Sequence, residues 1–343
     1  MSDIDFSKIR VSPIMDSLVI DKITDEVYFS EKYADYISNS RLKLINPDQG
    51  GSPEQYFEGF AGNKIYSDAL IQGSAVHELV LQPEYFELVE TINRPTGKPG
   101  FISDIVYRKT VLPTYEELIS AAKDVDYYGG DLNAIQMKEL KAKVLPYCEQ
   151  RMNYEARYTG GKELIFLGEV MRDRVKSCVS NLLENTEIYS LLHPTGLLTN
   201  PISENEQAIL VDLAVDVEGH EPIVLKLKAK LDNFTIDKEN NKLIINDIKT
   251  HGRKIGEFGD AVNNWRYMRE MAVYATLLNL VAKKFYGMDK TDIEANFLVV
   301  STIPPYYTKV HRLRREDFLV GIDEFQRLLK MVAYYTCFGP DGI

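Results

Sequence analysis

Apolar and polar residues alternate along three consecutive segments in the second half of the chain. Residues 206–217, 222–234 and 241–250 show the period of two that is typical of β-strands. The turn-like sequences EGHE and TIDKENN separate these segments. We therefore predict three strands that follow one another directly along the chain.

Other segments carry apolar residues three or four positions apart, which is typical of helices with one buried face. The helices predicted on this basis are a helix–loop–helix at 38–60, a helix from Ser67 to Pro83 that contains His77, and helices at 169–192, 260–287 and 315–338. Two further strands are predicted at 295–302 and 304–313.

The order of these elements predicts the fold class and the domain organisation. A helix, three adjacent strands, a further helix and a strand are typical of an α/β domain with a central mixed β-sheet flanked by helices. Residues 94–162 begin with closely spaced prolines and glycines and continue as charged, helical sequence, so we interpret them as a largely helical insertion. We predict one domain over residues 1–343, with the insertion at about 94–162.

Candidate chemistry lies where two of the predicted strands end. In the second strand, alternation places Asp232 at the end of a polar stripe that contains Lys226, Lys228 and Lys230. In the third strand, the same period places Asp247 and Lys249 on one face. If the two strands pair through the turn between them, Asp232 and Asp247 lie close enough to share a divalent cation.

Two carboxylates that converge without a cation repel each other, and one of them is then expected to hold a proton near neutral pH. Bound Mg²⁺ or Mn²⁺ removes that cost and lowers the pKa of a bound water. Lys249 is placed to orient that water or to stabilise charge on a phosphate oxygen. The same residues also fit a solvated salt bridge, and His77 alone fits an ordinary hydrogen-bonded core or surface histidine.

Composition restricts the class of protein. A chain of 343 residues with 45% hydrophobic residues is typical of a soluble globular protein with a sizeable core. The N-terminal sequence lacks the basic start and the apolar core of a signal peptide, and no apolar stretch is long enough for a membrane helix. Three widely separated cysteines predict neither a disulfide framework nor a thiolate metal cluster, and we expect a cytoplasmic protein.

The formal net charge of −11 argues against nucleic-acid binding through bulk attraction. That objection weakens if the acidic residues gather at a metal site, where a bound cation reverses the local field. It weakens further if basic residues cluster elsewhere. Two such clusters are Lys226, Lys228 and Lys230, and the run Lys309, His311, Arg312, Arg314 and Arg315.

Four motifs in order make the chain similar to the PD-(D/E)xK nuclease superfamily, in particular to its RecB-like branch and the RecE-type phage exonucleases. In that branch a helix carries G-x-x-x-H, one strand ends in an aspartate, the next strand carries D-x-K, and a later helix carries Q-x-x-x-Y. The corresponding residues here are Gly73 with His77, then Asp232, then Asp247 with Lys249, and finally Tyr267, Glu270, Ala272 and Tyr274. The sequences YISNSRLKLI and VVSTIPPYYTKVHRL also resemble RecE-type domains.

The resemblance implies a restriction-endonuclease-like core and a set of site residues. Its expected metal ligands are His77, Asp232, Asp247 and the carbonyl of Ile248, with Lys249 beside the attacking water. The expected DNA-binding residues on the later helix are Glu270, Tyr274, Arg266 and Arg269. Glu270 departs from the family glutamine and is expected to repel phosphate unless it is protonated, turned toward metal or paired with one of the two arginines. The family often has a glutamate before the first aspartate, for which Glu204 and Glu206 are both candidates.

The function implied by the resemblance is a Mg²⁺- or Mn²⁺-dependent DNA exonuclease that acts on duplex ends in phage-type recombination or repair. Its implied partners are DNA, a single-strand annealing protein and further copies of the chain in a homo-oligomer, with no membrane. One alternative is a structure-specific or restriction-like endonuclease, because the same metal site can cut internally. The other is a DNA-binding protein without catalytic activity.

Overall fold

The computed structural model describes residues 6–59, 66–194 and 198–340. The first five residues of the N-terminal stretch considered for a signal peptide lie outside the described residues. The chain forms two compact units. The first comprises Met1–Ala61, Asn185–Val300 and Tyr307–Ile343, and the second comprises Gly62–Glu184 and Ser301–Tyr306.

Helices and strands follow one another along the chain in this order: β1 (Ile9–Asp21), α1 (Asp25–Tyr28), α2 (Asn39–Ile45), α3 (Pro53–Glu58), α4 (Asp68–Leu81), β2 (Phe86–Val89), α5 (Lys98–Val106), α6 (Tyr115–Asp124), α7 (Ala134–Glu155), β3 (Glu163–Phe166), α8 (Glu169–Glu184), α9 (Thr186–Leu192), β4 (Ile202–Val217), β5 (Ile223–Asp237), β6 (Lys242–His251), α10 (Phe258–Asn264), α11 (Tyr267–Tyr286), β7 (Asp292–Ser301), β8 (Thr308–Arg312) and α12 (Arg315–Phe338). Short 3₁₀ helices lie at Phe6–Lys8, Glu31–Tyr33, Pro47–Gln49, Tyr127–Gly130 and Ile255–Glu257.

The first unit is built on a six-stranded mixed sheet with the strand order β1-β4-β5-β6-β7-β8. The pairs β1–β4, β4–β5, β5–β6 and β7–β8 are antiparallel. Between β6 and β7, the contacts Lys242–Glu294 and Asn246–Asn296 advance in the same direction along both strands, so these two strands are parallel. The helices α10 and α11 lie between them in the chain and supply the crossover that parallel neighbours need. The predicted α/β fold with a central mixed sheet flanked by helices is confirmed.

Helices α11 and α12 pack against each other and against β1, β4 and β5 to form the main core. Their close approach depends on Gly321, because a Cβ at this position would lie 2.2 Å from the carbonyl oxygen of Met268. The buried positions of α11 include Met271, Ala272 and Ala275. The apolar stripe predicted on this helix therefore faces the core that positions the candidate site.

The second unit contains α4–α8 and a two-stranded parallel sheet of β2 and β3. Helices α4 and α8 pack together, and α5 packs against α6 and α7. Its own apolar core includes Ile102, Leu118, Leu140 and Val144, all fully buried. The helices α5–α7 fall within the predicted insertion at about 94–162. The single nuclease domain over residues 1–343 stays a prediction.

Several predicted elements are confirmed closely. The helix–loop–helix at 38–60 corresponds to α2 and α3, the helix that carries His77 is α4, and the last helix has the predicted bounds of 315–338. The three predicted strands correspond to β4, β5 and β6. Among the described residues, no helix is both long and apolar enough to cross a membrane.

Two helices predicted as continuous are interrupted. The segment 260–287 divides into α10 and α11, because Arg266 adopts left-handed backbone angles with φ of 56°. The segment 169–192 divides into α8 and α9 at Asn185, whose side chain caps α9 by accepting from the backbone N–H groups of Glu187 and Ile188. Neither interruption contains the proline or glycine that normally marks one in a sequence.

The strand β1 was not predicted. It pairs only with β4, at the edge of the sheet, and most of its side chains are exposed or half-buried. It contains Pro13, and its register shifts between Ile14 and Val19. An edge strand tolerates a proline and an irregular register, so β1 shows no regular alternation of apolar and polar residues.

Candidate active site

The candidate site lies where β5 and β6 diverge. Their antiparallel register runs from Asp237 opposite Lys242 to Asn233 opposite Asn246. One residue further on, the carboxylate of Asp232 accepts a hydrogen bond of 2.8 Å from the backbone N–H of Ile248. This side-chain bond joins the two strands where the backbone ladder stops. It places the D-x-K segment of β6 beside the aspartate of β5.

We call the point where β5 and β6 diverge the fork. Beyond the fork, Ile37 forms a parallel bridge with β5 on the edge where β6 no longer pairs. The N–H of Ile37 donates to the carbonyl of Lys226 at 2.7 Å, and the N–H of Lys228 donates to the carbonyl of Ile37 at 2.8 Å. Ile37 thereby pairs with the backbone groups of Lys226 and Lys228, on the edge of β5 that β6 has left. This bridge covers part of that edge.

Glu206 on β4 lies directly opposite Asp232, between the pairs Asn205–Asn233 and Gln207–Leu231. Its φ of 55° is left-handed, which is unfavourable for a residue with a side chain, and strained backbone of this kind recurs at functional sites. Carboxylate oxygens of Glu206 and Asp232 lie within 4.8 Å of each other. The two candidate glutamates therefore differ in position. Glu206 lies beside Asp232, whereas Glu204 is exposed and its carboxylate contacts Gln207.

The predicted alternation along β5 holds only up to this point. Core positions are Leu225, Leu227, Ala229 and Leu231 before the fork, and then Phe234 and Ile236. The phase therefore changes at the two residues Asp232 and Asn233. The change coincides with the left-handed residue on β4, so it marks a local distortion of the sheet at the candidate site.

Lys249 lies between two carboxylates. Its Nζ is 2.7 Å from Oδ2 of Asp247 and 3.0 Å from Oε2 of Glu270. The ring of Tyr267 lies beneath the ammonium at 4.8 Å, and the hydroxyl of Tyr274 donates to the other oxygen of Glu270 at 3.3 Å. The helix α11 therefore brings three of its motif residues onto the D-x-K segment.

Burial and neighbouring charges together shift the pKa values of this group. Burial raises the pKa of Asp247 well above its ordinary value, and the carboxylates of Asp232 and Glu270 add to that shift while Lys249 opposes it. Burial alone would lower the pKa of Lys249, but the carboxylates of Asp247, Glu270 and Asp232 raise it well above its ordinary value. Lys249 is accordingly an ammonium throughout the physiological range. The pKa of Tyr274 is also raised, first by burial and then by the same carboxylates.

The chemistry of these residues fits a hard divalent cation. Oδ2 of Asp247 and Oε2 of Glu270 are buried and, among the described residues, have no hydrogen-bond partner apart from their ion pairs with Lys249. Asp232 and Glu206 add two further carboxylates at the fork. Carboxylate oxygens are the ligands that Mg²⁺ and Mn²⁺ prefer, and a cation offsets the repulsion among them.

Two further predicted metal ligands lie on α4 and β6. His77 lies in the middle of α4, in the second unit, and is half-buried. Ile248 is fully buried on β6, and its N–H donates a hydrogen bond to the carboxylate of Asp232. Their roles as ligands stay predictions.

Arg269, predicted to bind DNA, is a buried residue with structural partners. Its side chain is 1% exposed. Its guanidinium donates to side-chain oxygens of Asn39 and Gln49, both at 2.8 Å, and to the carboxylate of Glu324 at 3.1 Å. These contacts hold the start of α11 to α2 and α12. Pairing with one of the two arginines was one of three alternatives for Glu270, and among the described residues its carboxylate forms its ion pair with Lys249 instead.

The first predicted basic cluster, Lys226, Lys228 and Lys230, is neutralised within the first unit. Lys226 lies 3.7 Å from Asp35, and Lys230 lies 2.6 Å from Glu206. Lys228 is buried and donates to the backbone carbonyl of Tyr28 at 2.8 Å. This stripe therefore serves internal contacts and does not form a cationic surface for phosphates.

The second predicted cluster comprises Lys309, His311, Arg312, Arg314 and Arg315. It lies on the edge strand β8 and at the start of α12. Arg312 pairs with Glu187 at 2.6 Å and Arg314 with Asp317 at 2.9 Å. Lys309 and Arg315 are exposed, and no ion pair to either is present in the described part of the chain.

Comparison with known proteins adds little to this description. No family model matches the chain, and no curated protein is significantly similar to it in sequence. A crystal structure from Eubacterium rectale, described as a "putative exonuclease" and solved at 2.19 Å resolution, is similar to 91% of this chain over 87% of its own. The TM-score is 0.44 and the sequence identity is 13%. We draw no conclusion about fold or activity from a likeness of this degree.

Proposed function

We propose that this chain is a metal-dependent deoxyribonuclease that hydrolyses phosphodiester bonds. The observation that supports this most directly is the bond from the Ile248 N–H to Asp232, which joins the two strands that carry the predicted catalytic residues. With it, Asp232 meets Glu206 on one side and the segment containing Asp247 and Lys249 on the other. A solvated salt bridge needs no such convergence of carboxylates, of which Asp247 is buried and Asp232 and Glu206 are half-buried.

The chain's own residues have distinct roles in this proposal. A divalent cation bound by the carboxylates of Asp232 and Asp247 supplies a water of lowered pKa and positive charge beside the scissile phosphate. Lys249 has a raised pKa and stays protonated. It therefore acts as a hydrogen-bond donor that orients the attacking water or contacts a phosphate oxygen, and not as a general base.

The remaining site assignments come from the resemblance and are part of the proposal. They add His77 and the carbonyl of Ile248 as metal ligands, and they assign Tyr274, Glu270 and Arg266 to the neighbourhood of the DNA. Arg269 is omitted from the proposed DNA contacts because its guanidinium is buried among Asn39, Gln49 and Glu324.

We further propose that the enzyme is an exonuclease that needs a duplex end, working in the cytoplasm in phage-type recombination or repair. Its proposed partners are a single-strand annealing protein and further copies of the chain. These finer points follow from the match to RecE-type domains across the opening helix α2, the metal site and the tyrosine-bearing helix α11. They are separable from the catalytic site, which serves an endonuclease equally well.

Digestion of end-labelled linear duplex, compared with covalently closed circular duplex, tests the proposal. With Mg²⁺ or Mn²⁺ the linear DNA should shorten progressively, the circle should persist, and Asp247→Asn should abolish the reaction. Asp237→Asn is the matched control, because Asp237 is a buried carboxylate of β5 that bonds Asn240 away from the site. Cleavage of the circle at the rate of the linear form would establish the endonuclease alternative. DNA binding without any cleavage would establish the inactive alternative.

A further inference from the structure

Four asparagines form a continuous row across β4, β5, β6 and β7. Asn233 donates from Nδ2 to Oδ1 of Asn205 at 2.7 Å, and Asn246 donates in the same way to Asn233 at 2.7 Å. Asn296 completes the row by donating to Oδ1 of Asn246 at 3.0 Å. Every link runs in the same direction, so each amide polarises the next. We call these four residues the asparagine row.

Three members of the asparagine row are buried, and Asn205 is half-buried. Asn246 and Asn296 are fully buried and Asn233 is 1% exposed. Burying an amide is costly unless its donors and acceptors are satisfied, and an apolar β-branched residue is the common choice for an inner strand. The central member, Asn246, also donates to the backbone carbonyl of Leu191 at 3.1 Å. A row of this kind therefore specifies one arrangement of the strands more strictly than apolar residues would.

The position of the row relative to the carboxylates points to its role. Asn205 immediately precedes Glu206, Asn246 immediately precedes Asp247, and Asn233 immediately follows Asp232. The pair Asn233–Asn246 is also the last backbone-paired position before β5 and β6 diverge. Each of the three strands that carry a carboxylate, β4, β5 and β6, is thus linked to its neighbour through the asparagine next to that carboxylate.

We infer that the asparagine row is a positioning device for the metal-binding carboxylates. A sheet that slips by one residue turns every side chain to the other face, and the three carboxylates would then no longer converge. The amide links hold β4, β5 and β6 in the single register in which Glu206, Asp232 and Asp247 converge. This inference rests on the proposed metal site and extends it to residues that touch neither metal nor DNA.

The test compares Asn246→Ala with Thr235→Val. Thr235 is buried on β5 and donates to the hydroxyl of Ser203 on β4 at 3.2 Å, so its removal also deletes a side-chain link between inner strands, but away from the carboxylates. Both variants should lose stability. Asn246→Ala alone should raise the dissociation constant for Mn²⁺, measured by calorimetry on the folded protein, by about 10-fold, as expected when a residue that orients a metal ligand is lost. Its kcat should fall while KM for DNA stays unchanged.

Asn296→Ala provides a second variant if Asn246→Ala does not fold. It removes the outermost link of the row together with the hydrogen bond to Glu294. It should therefore raise the dissociation constant for Mn²⁺ by a smaller factor than Asn246→Ala does, but by a larger factor than Thr235→Val does. If the wild type binds Mn²⁺ and the asparagine variants bind it as tightly as Thr235→Val does, the row is structural only and this inference fails while the proposed function stands. A wild type that binds no Mn²⁺ overturns the metal site and this inference together.

Discussion

Glu270 and Lys249 form an ion pair of 3.0 Å in which the carboxylate stands where the RecE-type motif has a glutamine. A glutamine at this position has no negative charge to hold the ammonium of Lys249. The glutamate instead shares that ammonium with Asp247 and raises the pKa of Lys249 further. The carboxylate of Glu270 is therefore held inside the site by Lys249, at the position where the motif that the chain resembles has a neutral amide.

Glu270→Gln should separate DNA binding from cleavage. Removing one negative charge near the phosphates should leave DNA affinity unchanged or increase it, whereas cleavage should slow by about 10-fold because Lys249 loses one of the two carboxylates that orient it. DNA affinity is measured with Ca²⁺ in place of Mg²⁺, and kcat is measured with Mg²⁺. Asp323→Asn serves as a control for the loss of one acidic charge. A Glu270→Gln variant that cleaves at the wild-type rate would show that the ion pair has no role in the reaction.

Lys249→Met should abolish cleavage and also destabilise the fold. Loss of the ammonium leaves Asp247 and Glu270 buried without compensation, and breaking a buried pair in this way costs about 3–5 kcal/mol. The pKa of Asp247 is already raised in the folded protein and rises further once Lys249 no longer opposes the shift, so the variant loses more stability than the wild type as the pH rises from the ordinary aspartate pKa toward that raised value. The difference in free energy of unfolding from the wild type should be larger at pH 8 than at pH 5.

Chemical denaturation at the two pH values measures this difference. The double variant Lys249→Met with Asp247→Asn is the matched control, because it removes one of the two uncompensated charges and should regain part of the lost stability at pH 8. Equal losses at both pH values, with no gain in the double variant, would contradict the assigned electrostatics.

Local patterns were sufficient to predict most elements and the strands that carry the proposed catalytic residues. Alternation located β4, β5 and β6, and the spacing of Asp247 and Lys249 placed both side chains together at the strand end. Alternation does not reveal where it changes phase, so the distortion at Asp232 and Asn233 was not predicted. That change depends on the left-handed backbone of Glu206, and a glutamate carries no sequence signal for such a conformation.

Residues that act through distant partners were the least predictable. Arginine is a residue type that commonly contacts DNA, and Arg269 was predicted to do so. Its partners Asn39 and Glu324, however, are more than 50 residues away along the chain. The asparagine row is likewise spread over β4 to β7. Such networks are set by tertiary packing, which one sequence alone does not specify. A buried asparagine in each of several adjacent strands, next to an acidic residue, is the signal that would have revealed the row.

Arg266→Gln should weaken DNA binding without loss of stability. Arg266 is partly exposed and lies 3.9 Å from both Asp48 and Glu324, so its ion pairs contribute little. If it contacts a phosphate, the variant should bind DNA more weakly in Ca²⁺, and the slope of log affinity against log salt should fall by about 1. Unchanged affinity and slope would remove Arg266 from the proposed DNA contacts.

Arg269→Lys is the matched control on the same turn of helix. A lysine cannot supply the forked donors that bind Asn39, Gln49 and Glu324 at once, so we expect a loss of about 2 kcal/mol in the free energy of unfolding. The salt dependence of DNA binding should stay as in the wild type. A reduced slope in this variant would show that Arg269 reaches DNA after all.

Lys228 should make the stability of the protein rise with pH above about pH 8. Burial, with a smaller contribution from Arg41, lowers the pKa of Lys228 from its ordinary value to about 8. Between that value and the ordinary pKa of about 10.4, the unfolded chain binds more protons than the folded one, so the free energy of unfolding increases with pH. The neutral amine can still donate to the carbonyls of Tyr28 and Tyr33, so the folded geometry survives its deprotonation.

Lys228→Met removes this titration and retains most of the buried side-chain volume. Above pH 8, the difference in free energy of unfolding, wild type minus variant, should therefore increase by up to about 1.4 kcal/mol per pH unit. Urea denaturation at pH 7, 8, 9 and 10 measures the difference, and the common titration of tyrosines cancels in the comparison. The ring of Tyr28 lies 4.4 Å from the ammonium and favours its charged form. A difference that stays constant across this range would mean that the ring and the two carbonyls outweigh burial and keep Lys228 charged inside the protein.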